Sequence, residues 1–415
     1  MSSIKEHKGQ MLKFGMYGFL KNLRFFEPFL ILFFLATGDL NLFQVGLLVA
    51  IREIIIYIVE IPSGVIADMY GKKTQLVMCF LFYIISFLIF FLGGFYPSFW
   101  IFVIAMSLFG FGEAFRSGTH KAMIMQFLDV EDIVEPKSEV YGKTRSMSLI
   151  GSTVMSLISI ALIILVKGQY HWLFLAAIIP YAIDLLMILT YPKYMNERKE
   201  TTFKLKQFLK ENWESLKYVF TTKKVRGFVF DASAFQAGFK SIKDYIQPLI
   251  LAATIGLYVF SENQNEEVYI GIIYAIIYII SAVASANAYK LEAKIDKVKI
   301  INYAWLFMGI VSLILGFFVG NIYVIMVAFI LMYILLNIRR PIMVQEIGDV
   351  TAEGRRASAL SIQAQLTSLL LVVFAPLIGL IADYSYDLLF KLVGITMISI
   401  FVIAAITRRK LQYTN

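Results

Sequence analysis

Charge is scarce in this chain. Of its 415 residues only 16% are Asp, Glu, Lys or Arg, while 59% are hydrophobic and the mean hydropathy is +0.74. Soluble domains carry roughly 25% charged residues, so the shortage excludes a water-soluble globular protein and points to an integral membrane one. Cysteine is nearly absent. Cys79 is the only one, which excludes an intrachain disulfide, and its apolar setting fits a small buried hydrophobe. The three histidines, His7, His120 and His171, are too scattered for a metal site, and His120 reads first as a hydrogen-bonded residue near a helix end. No segment has the G-x-x-x-x-G-K-[ST] phosphate cradle of an ATP-driven pump, because Gly64 and Gly71 stand too far apart ahead of Lys72. Energy must then come from an ion gradient or from a solute's own gradient. Without a nucleophile, metal cluster or cofactor loop, no enzyme activity and no cofactor are expected. Lys5, Lys8 and Lys13 precede a stretch too long for the h-region of a signal peptide, so the first span is expected to stay in the mature protein. Met-Ser-Ser at the start lacks the glycine that myristoylation needs.

What the chain does have is long apolar runs. A membrane-crossing helix needs about 20 mostly apolar residues. About twelve such stretches occur, near 14–36, 42–66, 75–96, 99–120, 145–166, 171–191, 227–253, 268–289, 300–319, 322–341, 358–381 and 387–406. Barrel strands would instead alternate in segments of about ten residues, so an all-α membrane protein is expected.

The net charge of +9 raises a nucleic-acid reading, but the positions of the charges argue against it. Basic residues crowd alternate loops: Lys72 and Lys73; Lys137, Lys143 and Arg145; the 193–226 segment; Lys290, Lys294, Lys297 and Lys299; Arg355 and Arg356; Arg408, Arg409 and Lys410. The loops between them, 37–41, 94–98, 256–267 and 383–386, have no Lys or Arg. That asymmetry follows the positive-inside rule and puts both termini in the cytoplasm. Trp100 and Trp172, near predicted helix ends, read as interface anchors.

The longest polar segment, 192–226, divides about six spans from about six more. Within it Phe203, Phe208, Trp213, Leu216, Tyr218 and Phe220 are interspersed with lysines. Two readings stand: an amphipathic helix on an anionic leaflet, or a tether helix packed against the bundle.

Between the second and third spans the chain reads Gly64-Val-Ile-Ala-Asp68-Met-Tyr-Gly71-Lys72-Lys73. This resembles the loop motif G-x-x-x-D-R-x-G-R-R/K of the major facilitator superfamily. Gly64, Asp68, Gly71, Lys72 and Lys73 match, and Met69 departs from the family's basic residue. Two further loops, Pro136 to Arg145 and Gly354 to Ser361, look like the family's charged loops before spans five and eleven. The resemblance implies twelve transmembrane helices in two six-helix halves, 1–191 and 227–415, joined by a cytoplasmic linker at 192–226. It also implies that the Asp68 carboxylate helps hold the two halves together on the cytoplasmic side. An echo, Pro62 to Asp68 against Pro376 to Asp383, fits inverted repeats.

Ionisable residues inside a bilayer cost roughly 2.5–3.5 kcal/mol each on insertion scales, and they usually face a cavity or a partner. Here they are numerous. Arg24 and Glu27 share a face of span one. Glu53, Tyr57, Glu60 and Gly64 form one stripe on span two, with Arg52 beside it, and Glu60 has the weakest partner nearby in sequence. Gly110, Glu113, Ser117 and His120 can line one face of span four, with Arg116 three residues after Glu113. Gln236, Lys240, Lys243 and Gln247 form a stripe on span seven, flanked by Asp231 and by Asp244 near Lys240. Span ten adds Asn337, Arg339 and Arg340 near its inner end. The plain reading of Arg24–Glu27 and Glu113–Arg116 is two self-neutralising intrahelical pairs.

In the family, helices one, four, seven and ten line the central cavity, and many proton-linked members carry a fourth-helix arginine where Arg116 stands. The resemblance therefore implies a secondary transporter working by alternating access. Its substrate is expected to be a small polar or charged organic solute, with protons as the coupled ion and membrane lipid as its surroundings. No nucleic-acid partner is expected, and the protein is expected to be a monomer. Glu113 is the first candidate for the coupled proton, with Glu60 and Asp231 behind it. The fifth span lacks the Gly-Pro pair of the family's drug/proton antiporters, although a drug exporter or a flippase for an amphipathic lipid stays open. From another class, a membrane sensor that binds without transport also stays open.

Overall fold

The computed structural model describes residues 6–133, 137–196, 205–255, 267–292, 294–352 and 354–412, and every regular element among them is helical. In chain order the helices are α1 (Lys8–Leu20), the short turn α2 (Leu30–Leu32), α3 (Leu42–Tyr70), α4 (Lys72–Gly93), α5 (Phe99–Arg116), α6 (Thr119–Val130), α7 (Lys137–Leu165) and α8 (His171–Leu189). There follow α9 (Leu205–Thr221), α10 (Lys223–Ile242), α11 (Ile246–Ile255), α12 (Glu267–Glu292), α13 (Lys297–Phe317), α14 (Ile322–Val350), α15 (Arg356–Tyr384) and α16 (Tyr386–Gln412). Ten stretches among the described residues are long and apolar enough to cross a membrane.

The two remaining stretches, 14–36 and 227–253, are not continuous helices, and this corrects the expectation of a plain span at each. In the first, α1 stops at Leu20 and Asn22 donates its side-chain amide to Gly18 O at 2.6 Å. The chain then passes through a 3-10 turn at Glu27–Phe29 and a π turn at Phe33–Thr37. Pro28 stands at the start of the 3-10 turn, where its missing N–H has no intrahelical partner to lose. In the second, a 3-10 turn at Lys243–Tyr245 separates α10 from α11, and Pro248 falls in the first turn of α11, where its missing N–H has no intrahelical partner to lose. Span four also differs from expectation. The helix stops at Arg116, Gly118 takes φ +71°, and α6 carries the apolar stretch on to Val130. Only glycine adopts that backbone without strain.

The chain forms two compact units, one of residues 1–40 and 48–205, the other of residues 41–47 and 206–415. The core of the first is largely aromatic. Phe174 on α8 stacks on Phe26 at 4.3 Å and on Phe90 of α4 at 4.7 Å, and Tyr83 meets Phe109 edge-on at 5.3 Å. Such pairs add about 0.5–1.5 kcal/mol beyond area burial. In the second unit, α13 and α16 touch through Gly309 and Gly394. A Cβ on either would lie within 2.9 Å of the other's carbonyl oxygen, and small residues are what allow helix backbones this close. At the start of α3, the Asp383 carboxylate accepts the N–H groups of Leu42 and Phe43 at 2.7 and 2.8 Å. The C-terminal Asp of the sequence echo thus caps a helix.

Helix α9, from the polar segment, packs one face on the second unit. Val219 is buried there with Val225, Val229 and Ile301, and Leu216 and Tyr218 lean on the same cluster. Its other face leaves Trp213 68% exposed.

Candidate functional site

The break in span one places Arg24 outside any helical ladder, free to reach across the first unit. Its Nε donates to Tyr181 Oη of α8 at 2.6 Å, and Nη2 donates to Glu113 Oε1 of α5 at 2.5 Å and to Tyr83 Oη of α4 at 3.3 Å. Arg116, in the last turn of α5, donates from Nη2 to Glu113 Oε2 at 2.6 Å and from Nε to Tyr83 Oη at 3.1 Å. The Tyr83 hydroxyl in turn donates to Glu113 Oε1 at 2.8 Å. One carboxylate therefore takes donors from two guanidiniums and a phenol. Arg24 also lies 4.9 Å from the Phe109 ring centre and 5.2 Å from that of Tyr83, where ring faces attract a cation. Exposure of 17% for Arg24, 18% for Glu113 and 29% for Arg116 shows a cluster that is mostly buried but still reachable. Arg24, Glu113 and Arg116 together carry one more positive than negative charge. The plain reading of a self-contained intrahelical pair does not hold for Glu113 and Arg116. Glu113–Arg116 is an i,i+3 pair, and Arg24 joins it from another element.

The other candidates of this unit lie apart from that hub. Glu53 is buried and accepts from Arg52 Nη2 at 2.7 Å. Glu60 accepts from Ser117 Oγ at 2.9 Å, which ties α3 to the break after α5. Gly64 faces open space. The expected stripe of Gly110, Glu113, Ser117 and His120 does not hold, because α5 ends before Ser117. Beyond the break His120 stacks on Tyr17 with ring centres 3.5 Å apart, and its Nε2 lies 3.1 Å from Tyr191 Oη.

The loop motif sits at one end of the same unit. Gly71 has φ +92°, and a Cβ there would run into Asn196, whose Oδ1 accepts from Thr74 N at 3.1 Å. Lys72 Nζ donates to Gln126 Oε1 at 2.8 Å. Lys73 Nζ donates to Leu189 O and Tyr191 O at 2.7 and 3.0 Å, placing a cation at the carbonyl end of α8, where the helix dipole favours it. Asp68 falls in the last turn of α3, and its side chain lies outside the described residues.

The second unit holds a charge cluster of its own. Asp231 on α10 accepts from Arg339 Nη2 at 2.5 Å and from Trp305 Nε1 at 2.6 Å. Arg339 is 3% exposed, lies 4.1 Å from the Phe235 ring centre, and donates from Nε to Ile301 O at 3.3 Å. The expected span-seven stripe is broken by the 3-10 turn. Gln236 accepts from Gln363 at 3.0 Å, Lys240 is exposed, and Asp244 accepts from Lys243 at 2.5 Å. Gln247 donates to Tyr274 Oη at 3.1 Å. Asn337 turns back to Tyr333 O on its own helix, and Arg340 is exposed. Among the described residues no group of three or more His, Cys, Asp or Glu could hold a metal ion.

Sequence reasoning missed Tyr83, Tyr181 and Trp305, the neutral hydrogen-bonding side chains of the two clusters, because phenols and indoles in an aromatic-rich chain carry no positional signal. It also missed Asp184, a lone acid inside the apolar run 171–191, which the cost of intramembrane charge should have flagged.

A family model for the major facilitator superfamily matches residues 18–285. The chain belongs to that superfamily. A curated relative in Bacillus subtilis (strain 168), described as the uncharacterized MFS-type transporter YxaM, is 26% identical over 280 residues, which make up 66% of this chain and 63% of the relative. The chain thus spans less than two thirds of that relative's length. Among solved structures, a mutant of the nucleoside transporter NupG superposes with a TM-score of 0.78 at 12% identity, covering 96% of this chain and 98% of that one. A POT family transporter in complex with a thioalcohol-conjugated peptide gives 0.71 at 13% identity, covering 97% and 96%. At such identities these likenesses show the fold alone. An integral, multi-pass membrane protein with the superfamily's all-α fold follows, as the loop motif and the apolar runs had led one to expect.

Proposed function

We propose that this superfamily member is a secondary transporter that moves a small polar or charged organic solute by alternating access, with protons as the coupled ion. The observation that carries the reading is the convergence of Arg24 and Arg116 on Glu113 at the break in span one. A buried guanidinium pair facing one carboxylate is poised to exchange that carboxylate for an anionic or zwitterionic group, because fork-like donors match carboxylate and phosphate oxygens. A broken span with charge at the break is also the arrangement in which membrane transporters form substrate sites. The solved neighbours support the solute class: they are a nucleoside transporter and POT transporters described in complex with a peptide conjugate, 5-aminolevulinic acid and sulfate. The basic loops support a cell-membrane protein with both termini in the cytoplasm. The two halves at 1–191 and 227–415, with a linker at 192–226, remain part of this reading.

Purified protein should first be screened by thermal shift against a library of amino acids, short peptides, nucleosides and organic acids, since binding to the folded state raises stability by mass action. The hit should then cross the membrane of protein-containing vesicles, and accumulate when only a pH difference is imposed. A hit that binds but never crosses would make the protein a sensor, and accumulation indifferent to pH would remove the proton from the reading.

A further inference from the structure

One buried acid of the first unit takes no part in the arginine cluster. Asp184 on α8 is completely buried, and neither of its carboxyl oxygens has a hydrogen-bond partner among the described residues. By contrast Glu53, Glu60 and Glu113 of the same unit each accept at least one bond. An isolated carboxylate in a protein interior cannot hold its charge, because no donor replaces the lost water. Its surroundings are specific. Tyr181, three residues earlier on the same buried face of α8, donates from Oη to Lys21 O at 2.7 Å. Tyr17 of α1 and Lys21 just past its end act on Asp184 electrostatically; Cys79 does so from α4 and Tyr191 from beyond the end of α8. Tyr83 of α4 stands against Tyr181, and His120 of α6 stacks on Tyr17. Helix α7 has no titratable residue between Ser146 and Leu165. Lys21 is thus the cation that acts on this acid, yet it makes no bond to it; its Nζ lies instead 5.1 Å from the centre of the Tyr17 ring.

We propose that Asp184 is a proton-binding site of the first unit, and that Lys21 is the group whose approach releases the proton. In the conformation seen here the carboxyl keeps its proton while Lys21 rests over Tyr17. When the end of α1 shifts so that the ammonium reaches the carboxyl, the O–H bond breaks, the proton passes to a water molecule, and the carboxylate accepts a hydrogen bond from Lys21. The reverse step takes a proton from water as Lys21 withdraws. The structure supplies a route from the solute site to this couple. Tyr181 Oη accepts from Arg24 and donates to Lys21 O, so a solute that draws Arg24 aside alters the contact holding the end of α1. Asp184 rather than Glu113 is then the carrier, because Glu113 already has three donors. The inference deepens the proton-coupled reading and rests on it for its role in transport.

Infrared spectroscopy of the protein in phosphatidylethanolamine–phosphatidylglycerol vesicles tests it without reference to any solute. Wild type should show a protonated-carboxyl C=O stretch at neutral pH that is absent from Asp184→Asn. In Lys21→Gln the band should persist to more alkaline pH than in wild type, since the carboxylate loses its cation. An Asp184→Asn spectrum equal to wild type, or a Lys21→Gln band that titrates with wild type, overturns the proposal; if Asp184→Asn fails to fold, the Lys21→Gln titration decides alone. The transport reading fails separately, if the wild type shows the band but accumulates no solute from the screen on a pH difference.

Discussion

Removing the charge of Glu113 should destabilise the first unit far more than its single substitution suggests. Glu113→Gln preserves shape but leaves Arg24 and Arg116 facing a neutral amide, whose NH2 can only present more donors to them. Breaking a buried ion pair by removing one partner costs about 3–5 kcal/mol, mostly for the charge left behind. The cluster is 17–29% exposed, so water relieves part of that cost and the low end, about 3 kcal/mol, is the expectation. For a unit of this size 1 kcal/mol shifts a melting midpoint by roughly 2–4 °C, which predicts a drop of about 6–12 °C in detergent. Arg116→Gln should also destabilise, and the double variant should recover part of the loss, with a coupling energy of about 1–3 kcal/mol in the cycle. Fluorescence-detected size exclusion after graded heating reads all four proteins. If Glu113→Gln melts with wild type, or the two single effects simply add, the three side chains are not the energetic unit that their geometry describes.

The helices were legible because apolar runs of membrane length leave little freedom: every polar backbone group in lipid must be paired within the chain, and a helix does that locally. The loop motif was legible for a related reason, since Gly71 sits where φ is positive and Asn196 closes off any side chain. What periodicity could not show was where helices stop. Stripes drawn through Ser117 and through Lys243 assumed a continuous helical turn, and the chain breaks at both places. Those breaks decide the site. Arg24 reaches Glu113 and Tyr181 only because span one is not helical there, and no spacing rule within one segment predicts a partner 89 or 157 residues away. Asp231 met Arg339 and Trp305 by the same kind of long-range convergence. Sequence showed which residues were costly to bury; only packing showed which ones shared that cost.

Three further outcomes are expected. Gly71→Ala should lower the melting point of the protein and Gly71→Val should lower it more, because φ +92° and the Asn196 side chain both oppose a Cβ; equal melting of both variants and wild type would refute the constraint. Burial and the hydrogen bond to Glu131 raise the Tyr194 phenol above its ordinary range. The folded chain therefore holds that proton above about pH 10, where the unfolded chain has lost it, so this contribution to stability is complete below that pH and falls as pH rises beyond it. Tyr194→Phe should accordingly lose less stability than wild type in alkaline melts, and parallel curves would remove Tyr194 from the account. The last concerns Asp383, whose two oxygens take the Leu42 and Phe43 N–H groups at the start of α3. A helix start leaves such N–H groups without intrahelical partners, and a carboxylate there gains from both the hydrogen bonds and the helix dipole. Asp383→Ala should cost about 0.5–2 kcal/mol, as lost caps do, while Asp383→Asn, which keeps an acceptor oxygen and loses the charge, should cost less. Hydrogen exchange locates the effect: faster exchange at Leu42 and Phe43 in Asp383→Ala supports the cap. Unchanged protection there alongside a lower melting point would mean that Asp383 acts through some other contact.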